Sequence, residues 1–212
     1  MDINSINSYN GIYVNNKKSD ESVNKKAEKM SKTNEILLAS LQFAEDHNDV
    51  KAILKSAVKN NRIKQIGKLL YQADDYIYAD LLKYYGAPQA QNLKKVAEKD
   101  IKLAPKFVDL IEKGNYSVLV TKIDGLNGKD LIPLSQGYSM LSDDAKKSAY
   151  ADVQKLLGTG IVNQDMLRGD NAWYINPETK EIVVPFWDKI RPLDSNEAPQ
   201  ILEALYKTIF KK

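Results

Sequence analysis

Cysteine is absent from this chain of 212 residues, and histidine occurs once, at His47. These absences exclude disulfides, cysteine-ligated zinc and a thiol nucleophile, and they leave no second histidine for a metal site. We expect His47 to be exposed in a break between two helices, without a catalytic role. No apolar run approaches the roughly 20 residues of a membrane span, and we expect no cleaved secretory signal. The net charge of +3 is small and dispersed, which argues against nucleic acid as a partner.

The first 33 residues contain few bulky apolar side chains. They hold six asparagines, five serines and six lysines, so they bury too little apolar surface to offset the entropy lost on ordering. We interpret residues 1–33 as a mobile polar leader. It is either a tail without function or a non-cleaved export signal of the kind that type III secreted effectors carry. The protein is then expected in a host cell after secretion, or in the cytoplasm.

Beyond the leader, the spacing of apolar residues alternates between helical and strand periods. Two helices are predicted between Thr33 and Val58, and a pair of strands follows at 63–70 and 76–85, although the second segment would also suit a helix. The remaining predicted elements are a helix at 88–103, strands at 106–112 and 116–123, a helix at 142–158, strands at 172–175 and 182–187, and a closing helix at 194–210. This order predicts an α+β fold.

A polar loop and the hairpin after it contain the residues suited to catalysis. The loop includes Asp165 and ends at Asn171, and the apolar run 182–187 leads directly into Asp188. An Asp, a short loop, an Asn, a hairpin and a second Asp is the order of a phosphoryl-transfer site. There the first Asp orients the attacking hydroxyl, and the other two residues offer Mg²⁺ the oxygen ligands that it prefers. Asp170 is an alternative to Asp165, and both also suit turn positions.

On these residues the sequence resembles the protein-kinase-like superfamily, and most of all the minimal kinases delivered as bacterial type III effectors. The resemblance implies that residues 34–123 form a helical extension of two helices followed by a kinase-like small lobe. Residues 124–212 would form a truncated large lobe with the catalytic loop. The resemblance also implies ATP and Mg²⁺ as cofactors, with Asp165 as the catalytic aspartate and with Asn171 and Asp188 as metal ligands.

The same resemblance assigns residues in the small lobe. Lys83 would be the catalytic and phosphate-binding lysine on the strand 76–85, and Glu98 on the next helix would be its ion-pair partner. Lys122 and Asp124, at the end of the strand that leads into the nucleotide hinge, would contribute to cofactor binding. Alternatively, Lys83 is a solvated surface lysine, and Glu98 makes ion pairs along its own helix.

Departures from the kinase pattern leave other functions open. Gly67 is the single glycine between residues 63 and 85, where a phosphate-binding loop usually has several. Asn163 and Gln164 stand where most kinases have His-Arg. We expect an ATP- and Mg²⁺-dependent phosphotransferase, a Ser/Thr protein kinase that acts on a host protein as a monomer. The alternatives are a pseudokinase that binds without turnover, a small-molecule kinase of the aminoglycoside phosphotransferase type, and an α-helical interaction protein.

Overall fold

The computed structural model describes residues 30–167, 172–187, 189–194 and 196–210, so most of the predicted leader lies outside the described residues. The α-helices are α1 (Lys32–Phe43), α2 (His47–Lys59), α3 (Lys83–Ala97), α4 (Leu134–Gly137), α5 (Asp143–Gly158) and α6 (Ala198–Phe210). The strands are β1 (Lys64–Gly67), β2 (Leu70–Ala73), β3 (Tyr76–Leu82), β4 (Lys106–Lys113), β5 (Tyr116–Lys122), β6 (Ile132–Pro133), β7 (Ile161–Asn163), β8 (Tyr174–Ile175), β9 (Ile182–Val183) and β10 (Ile190–Pro192). Within the described ranges, no helix is long and apolar enough to cross a membrane.

Five antiparallel strands form the main sheet, in the order β1-β2-β3-β5-β4, and α3 connects β3 to β4. Short turns join β2 to β3 and β4 to β5, with Asp74 and Gly114 at positive φ values of 53° and 61°, which these residue types tolerate. The predicted α+β class is therefore confirmed. The alternative of a plain α-helical protein is wrong, because the chain forms a five-stranded sheet.

The helix α3 begins earlier than the sequence predicts. The predicted strand 76–85 ends at Leu82, and the helix starts at Lys83 instead of near Pro88. The Lys83 amide donates to the Asn115 carbonyl at 2.9 Å, in the turn before β5. This segment has apolar residues at spacings that suit both element types, so tertiary contacts decide where the strand ends.

The helices α1 and α2 cover the outer face of the sheet. The buried Tyr78 hydroxyl donates to Asn34 Oδ1 at 2.7 Å, and His47 Nε2 lies 2.8 Å from Asp80 Oδ1. The His47 ring also stacks on Tyr116, with ring centroids 3.6 Å apart. The expectation that His47 is exposed is therefore wrong, because the first turn of α2 faces the sheet.

The second half of the chain packs against the inner face of the sheet. The helices α5 and α6 are neighbours, β7 pairs with β10, and β6, β8 and β9 form a small sheet. Trp173 and Trp187 are fully buried in this core. Their indole N–H groups donate to the carbonyls of Met166 (3.1 Å) and Val184 (2.6 Å), so both rings are buried without an unpaired donor.

Gly86 lets α3 approach β5 closely, and this contact gives a test of the packing. A Cβ atom added at Gly86 would lie 2.1 Å from Ser117 Oγ. We expect Gly86→Ala to lower the free energy of unfolding by about 1–3 kcal/mol, although alanine is intrinsically the better helix former. Chemical denaturation measures this loss.

Two further variants check the cause. Ser117→Ala in the same chain should recover most of the loss, because the atom that clashes is then absent. Gly158→Ala, in α5, has open space around its added Cβ and should cost nothing. A Gly86→Ala variant as stable as the wild type would contradict this packing.

The contact between His47 and Asp80 gives a second stability test. The Asp80 side chain is only 3% exposed, so His47→Ala leaves a buried carboxylate without this partner. We expect a loss of about 2 kcal/mol in chemical denaturation, because the buried carboxylate loses a hydrogen bond. Lys64→Ala is the control, because its ion pair with Asp130 is more than half exposed and should contribute less than about 1 kcal/mol. Equal losses in the two variants would contradict the buried contact.

Candidate functional site

A cleft of about 430 Å³ opens between the inner face of the sheet and the second half of the chain. Leu70, Ala79 and Leu119 form one row across β2, β3 and β5, because they face one another in the strand register. Tyr174 and Phe186 line the cleft from the second half of the chain. This volume suits a small organic ligand, and the apolar row suits a planar ring.

Among the described residues that line the cleft, three polar side chains are neutral and more than nine-tenths buried: Gln72, Gln89 and Thr121. Gln65 and Tyr174 also line it and are less buried. The Gln72 amide nitrogen donates to the carbonyls of Lys129 (2.9 Å) and Asp74 (3.3 Å), and its amide oxygen is buried without a partner among the described residues. The side chains of Gln89 and Thr121 make no hydrogen bond to the described residues. The cleft therefore offers neutral hydrogen-bonding groups to a ligand.

Charge is confined to the mouth of the cleft. Among the described residues that line it, only Lys64 and Asp130 are charged. They pair with each other at 2.6 Å, and both side chains are more than half exposed. The interior of the cleft therefore carries no charged side chain from the described part of the chain.

The predicted ion pair between Lys83 and Glu98 is wrong. Lys83 is the first residue of α3 and Glu98 directly follows its last residue, so the helix separates them by about 22 Å. Lys83 Nζ instead lies 3.2 Å from Glu112 Oε2, in a pair that is about half exposed. Neither residue lines the cleft.

The early start of α3 explains where Lys83 points. Ile77, Ala79 and Leu81 alternate along β3 and face the cleft, so Lys83 would face it as well if the strand continued. The strand ends one residue earlier, and Leu81 is the last cleft-facing side chain. From α3, the cleft receives Gln89 rather than a carboxylate. Sequence reasoning missed Gln89, although it shares the helical spacing of buried Leu93.

Lys122 and Asp124 lie beside the cleft. Lys122 faces the outer side of β5, opposite Tyr76, and its Nζ lies 3.2 Å from Asp124 Oδ1. Lys106 also pairs with Asp124. Burial raises the pKa of the Asp124 carboxyl, but hydrogen bonds from Lys106 and Lys122 outweigh it and hold the pKa below its ordinary value. The part that these two residues play in cofactor binding stays a prediction.

Asp165 lies in a short 3₁₀ helix directly after β7 and is largely buried. Its amide donates to Asn163 Oδ1 at 3.0 Å, and its Oδ1 lies 3.3 Å from Lys189 Nζ. The backbone of this loop is fixed to the segment after the hairpin, because the Gln164 amide donates to the Lys189 carbonyl at 2.8 Å and Asn163 Nδ2 donates to the Phe186 carbonyl at 2.8 Å. The carboxylate is thus held beside Lys189, in a loop that is also bonded to Phe186.

The predicted metal ligands, Asn171 and Asp188, lie outside the described residues, as does Asp170, the alternative catalytic aspartate. Within the described ranges, no group of three or more His, Asp or Glu residues could hold a metal ion. Lys189, which sequence reasoning did not single out, is next to Asp188 in the chain, and that adjacency was the available signal.

The strand order, the inserted helix and the loop after β7 define an α+β fold. No family model matches the chain, and no curated protein matches its sequence. Among solved structures, the fold is similar to that of the Cydia pomonella granulovirus kinase PK-1, with a TM-score of 0.44 and 12% identity over 67% of this chain. The chain covers 57% of that kinase. At this level the similarity concerns the course of the backbone and says nothing of chemistry.

The Asp124 contacts predict a measurable acid dependence. A carboxyl with a lowered pKa in the folded state binds fewer protons than in the unfolded state. Its stabilisation is therefore complete above the ordinary pKa of 3.8, and is lost as the pH falls through the folded-state value. We expect Asp124→Asn to flatten the fall in unfolding free energy as the pH drops below about 4. An unchanged slope would contradict these contacts.

Proposed function

We propose that this protein is a kinase-like phosphotransferase that moves the terminal phosphoryl group of ATP to an alcohol. The single observation that carries this proposal is the position of Asp165. Asp165 lies in the loop after β7, and its carboxylate pairs with Lys189, the residue that follows Asp188 in the chain. That is the position from which an aspartate orients an attacking hydroxyl in this class of site.

In this proposal, Asp165 accepts a hydrogen bond from the acceptor hydroxyl and takes its proton as the new bond to phosphorus forms. Lys189 orients the Asp165 carboxylate and keeps a positive charge near the transferred group. ATP, when bound, would supply the terminal phosphoryl group, and ADP would leave as the bond between its β-phosphate oxygen and the transferred phosphorus breaks. The volume of the cleft suits a nucleotide. Its apolar row would pack against the planar base, and its neutral polar side chains would form hydrogen bonds with the ligand. Asn171 and Asp188 would hold Mg²⁺.

The finer parts of the proposal depend on the resemblance to minimal effector kinases. It favours a Ser or Thr hydroxyl of a host protein as the acceptor, and it favours residues 1–33 as a non-cleaved export signal. A host protein would then be both partner and substrate, and the chain would act as a monomer. Each of these statements is separate from the proposed chemistry.

A second candidate function is a nucleotide-binding module without turnover. It is favoured by Leu81 and Gln89, two neutral residues on the parts of β3 and α3 that face the cleft. Because β3 and α3 contribute no lysine to the described cleft, no ammonium group from these elements would orient the phosphate groups of a nucleotide. The two candidates share nucleotide binding and differ in transfer.

One experiment tests both candidates. Nucleotide binding is measured as a thermal shift with millimolar ATP, with and without Mg²⁺, and transfer is measured with labelled ATP and a mixture of acceptor proteins. We expect Asp165→Asn to reduce transfer by about 100-fold or more and to leave the thermal shift unchanged. Lys83→Met is the matched control and should alter neither readout, because Lys83 does not line the cleft.

The possible results are distinct. Binding without transfer by the wild-type protein would support the second candidate. Wild-type transfer by Asp165→Asn would exclude the role of this residue and make Asp170 the next variant to measure. A wild-type protein that shows no shift with ATP would overturn both candidates.

A further inference from the structure

Gln89 is a largely buried polar side chain that lines the cleft. Its exposed fraction is 8%, yet it makes no side-chain hydrogen bond to the described residues. Its amide atoms are not among the fully buried side-chain atoms of the described residues that lack a partner, so they reach the open space of the cleft. An amide that is left unpaired and lines a cleft is suited to binding a ligand.

The surroundings of Gln89 indicate which part of a ligand it would contact. One turn further along α3, Asn92 Nδ2 donates to the Trp187 carbonyl at 3.2 Å, directly before Asp188. Gln89 therefore lies at the end of the cleft next to the Trp187 carbonyl. Gln72 and Thr121 lie in a row further towards the end of β5, where they face Ile77 in the strand register.

We propose that Gln89 binds the phosphate groups of the nucleotide, with its amide nitrogen donating a hydrogen bond to a phosphate oxygen. This inference rests on the proposed binding of a nucleotide in the cleft. Gln89 then replaces the predicted lysine as a neutral donor. A neutral amide contributes a hydrogen bond to an anion without the long-range attraction of an ammonium group.

The test compares ATP with adenosine, which has the same base and sugar but no phosphate. Both are titrated calorimetrically into the full chain in its wild-type form and as Gln89→Met, which retains volume and removes the amide. We expect the affinity for ATP to fall about tenfold and the affinity for adenosine to change by less than about twofold. Gln154→Met, on the exposed side of α5, is the control and should change neither.

A second variant keeps the test valid if Gln89→Met does not fold. Gln89→Glu has nearly the same shape and replaces the donor by a negative charge. The affinity for ATP should therefore fall more than tenfold, and the affinity for adenosine should stay unchanged. Equal losses for ATP and adenosine, or unchanged ATP affinity in both variants, would overturn the role of Gln89 while nucleotide binding stands. A wild-type protein that binds neither compound would overturn the proposed function, and this inference with it.

Discussion

The two faces of β3 are the constraint on which the rest of the structure depends. Tyr78 and Asp80 point to the outer face, where their polar atoms meet Asn34 and His47 from the two N-terminal helices. The alternate residues point to the cleft. A shift of one residue in the register would exchange the faces, and it would bury these polar groups without their partners. The contacts of α1 and α2 therefore help to decide which side chains line a cleft on the other side of the sheet.

The cleft is consequently neutral inside. Its walls carry a row of apolar residues and three buried polar side chains without charge, and its charged pair lies at the mouth. The position at which β3 ends is decisive, because one further strand residue would have directed Lys83 into the cleft. A site of this composition can hold a nucleotide through shape and neutral hydrogen bonds. It gives phosphate groups less electrostatic stabilisation than a buried lysine would.

Several contacts fix the surroundings of the cleft. Asn176 Nδ2 donates to the Asp124 carbonyl at 2.9 Å, and Lys129 pairs with Glu178, so the segment after β5 is joined to the turn between β8 and β9. On the opposite side, β7 pairs with β10 and positions Asp165 beside Lys189. These contacts connect residues that are 24 to 52 positions apart in the chain, and they hold a short loop in a defined place relative to the sheet.

The sequence by itself determined the order of elements, because helical and strand periodicities and turn residues are local properties of the chain. It correctly indicated the pair β4 and β5 and the long helices, but it gave one strand at 63–70 where the structure has β1 and β2. Only the tertiary structure decided the start of α3, the burial of His47 and the pairing of Lys83 with Glu112. Each depends on contacts between distant segments, such as the Lys83 amide with Asn115. Gln89 became a candidate for the same reason: its spacing marks a buried helix face, but only the fold shows that this face borders a cleft and leaves its amide unpaired.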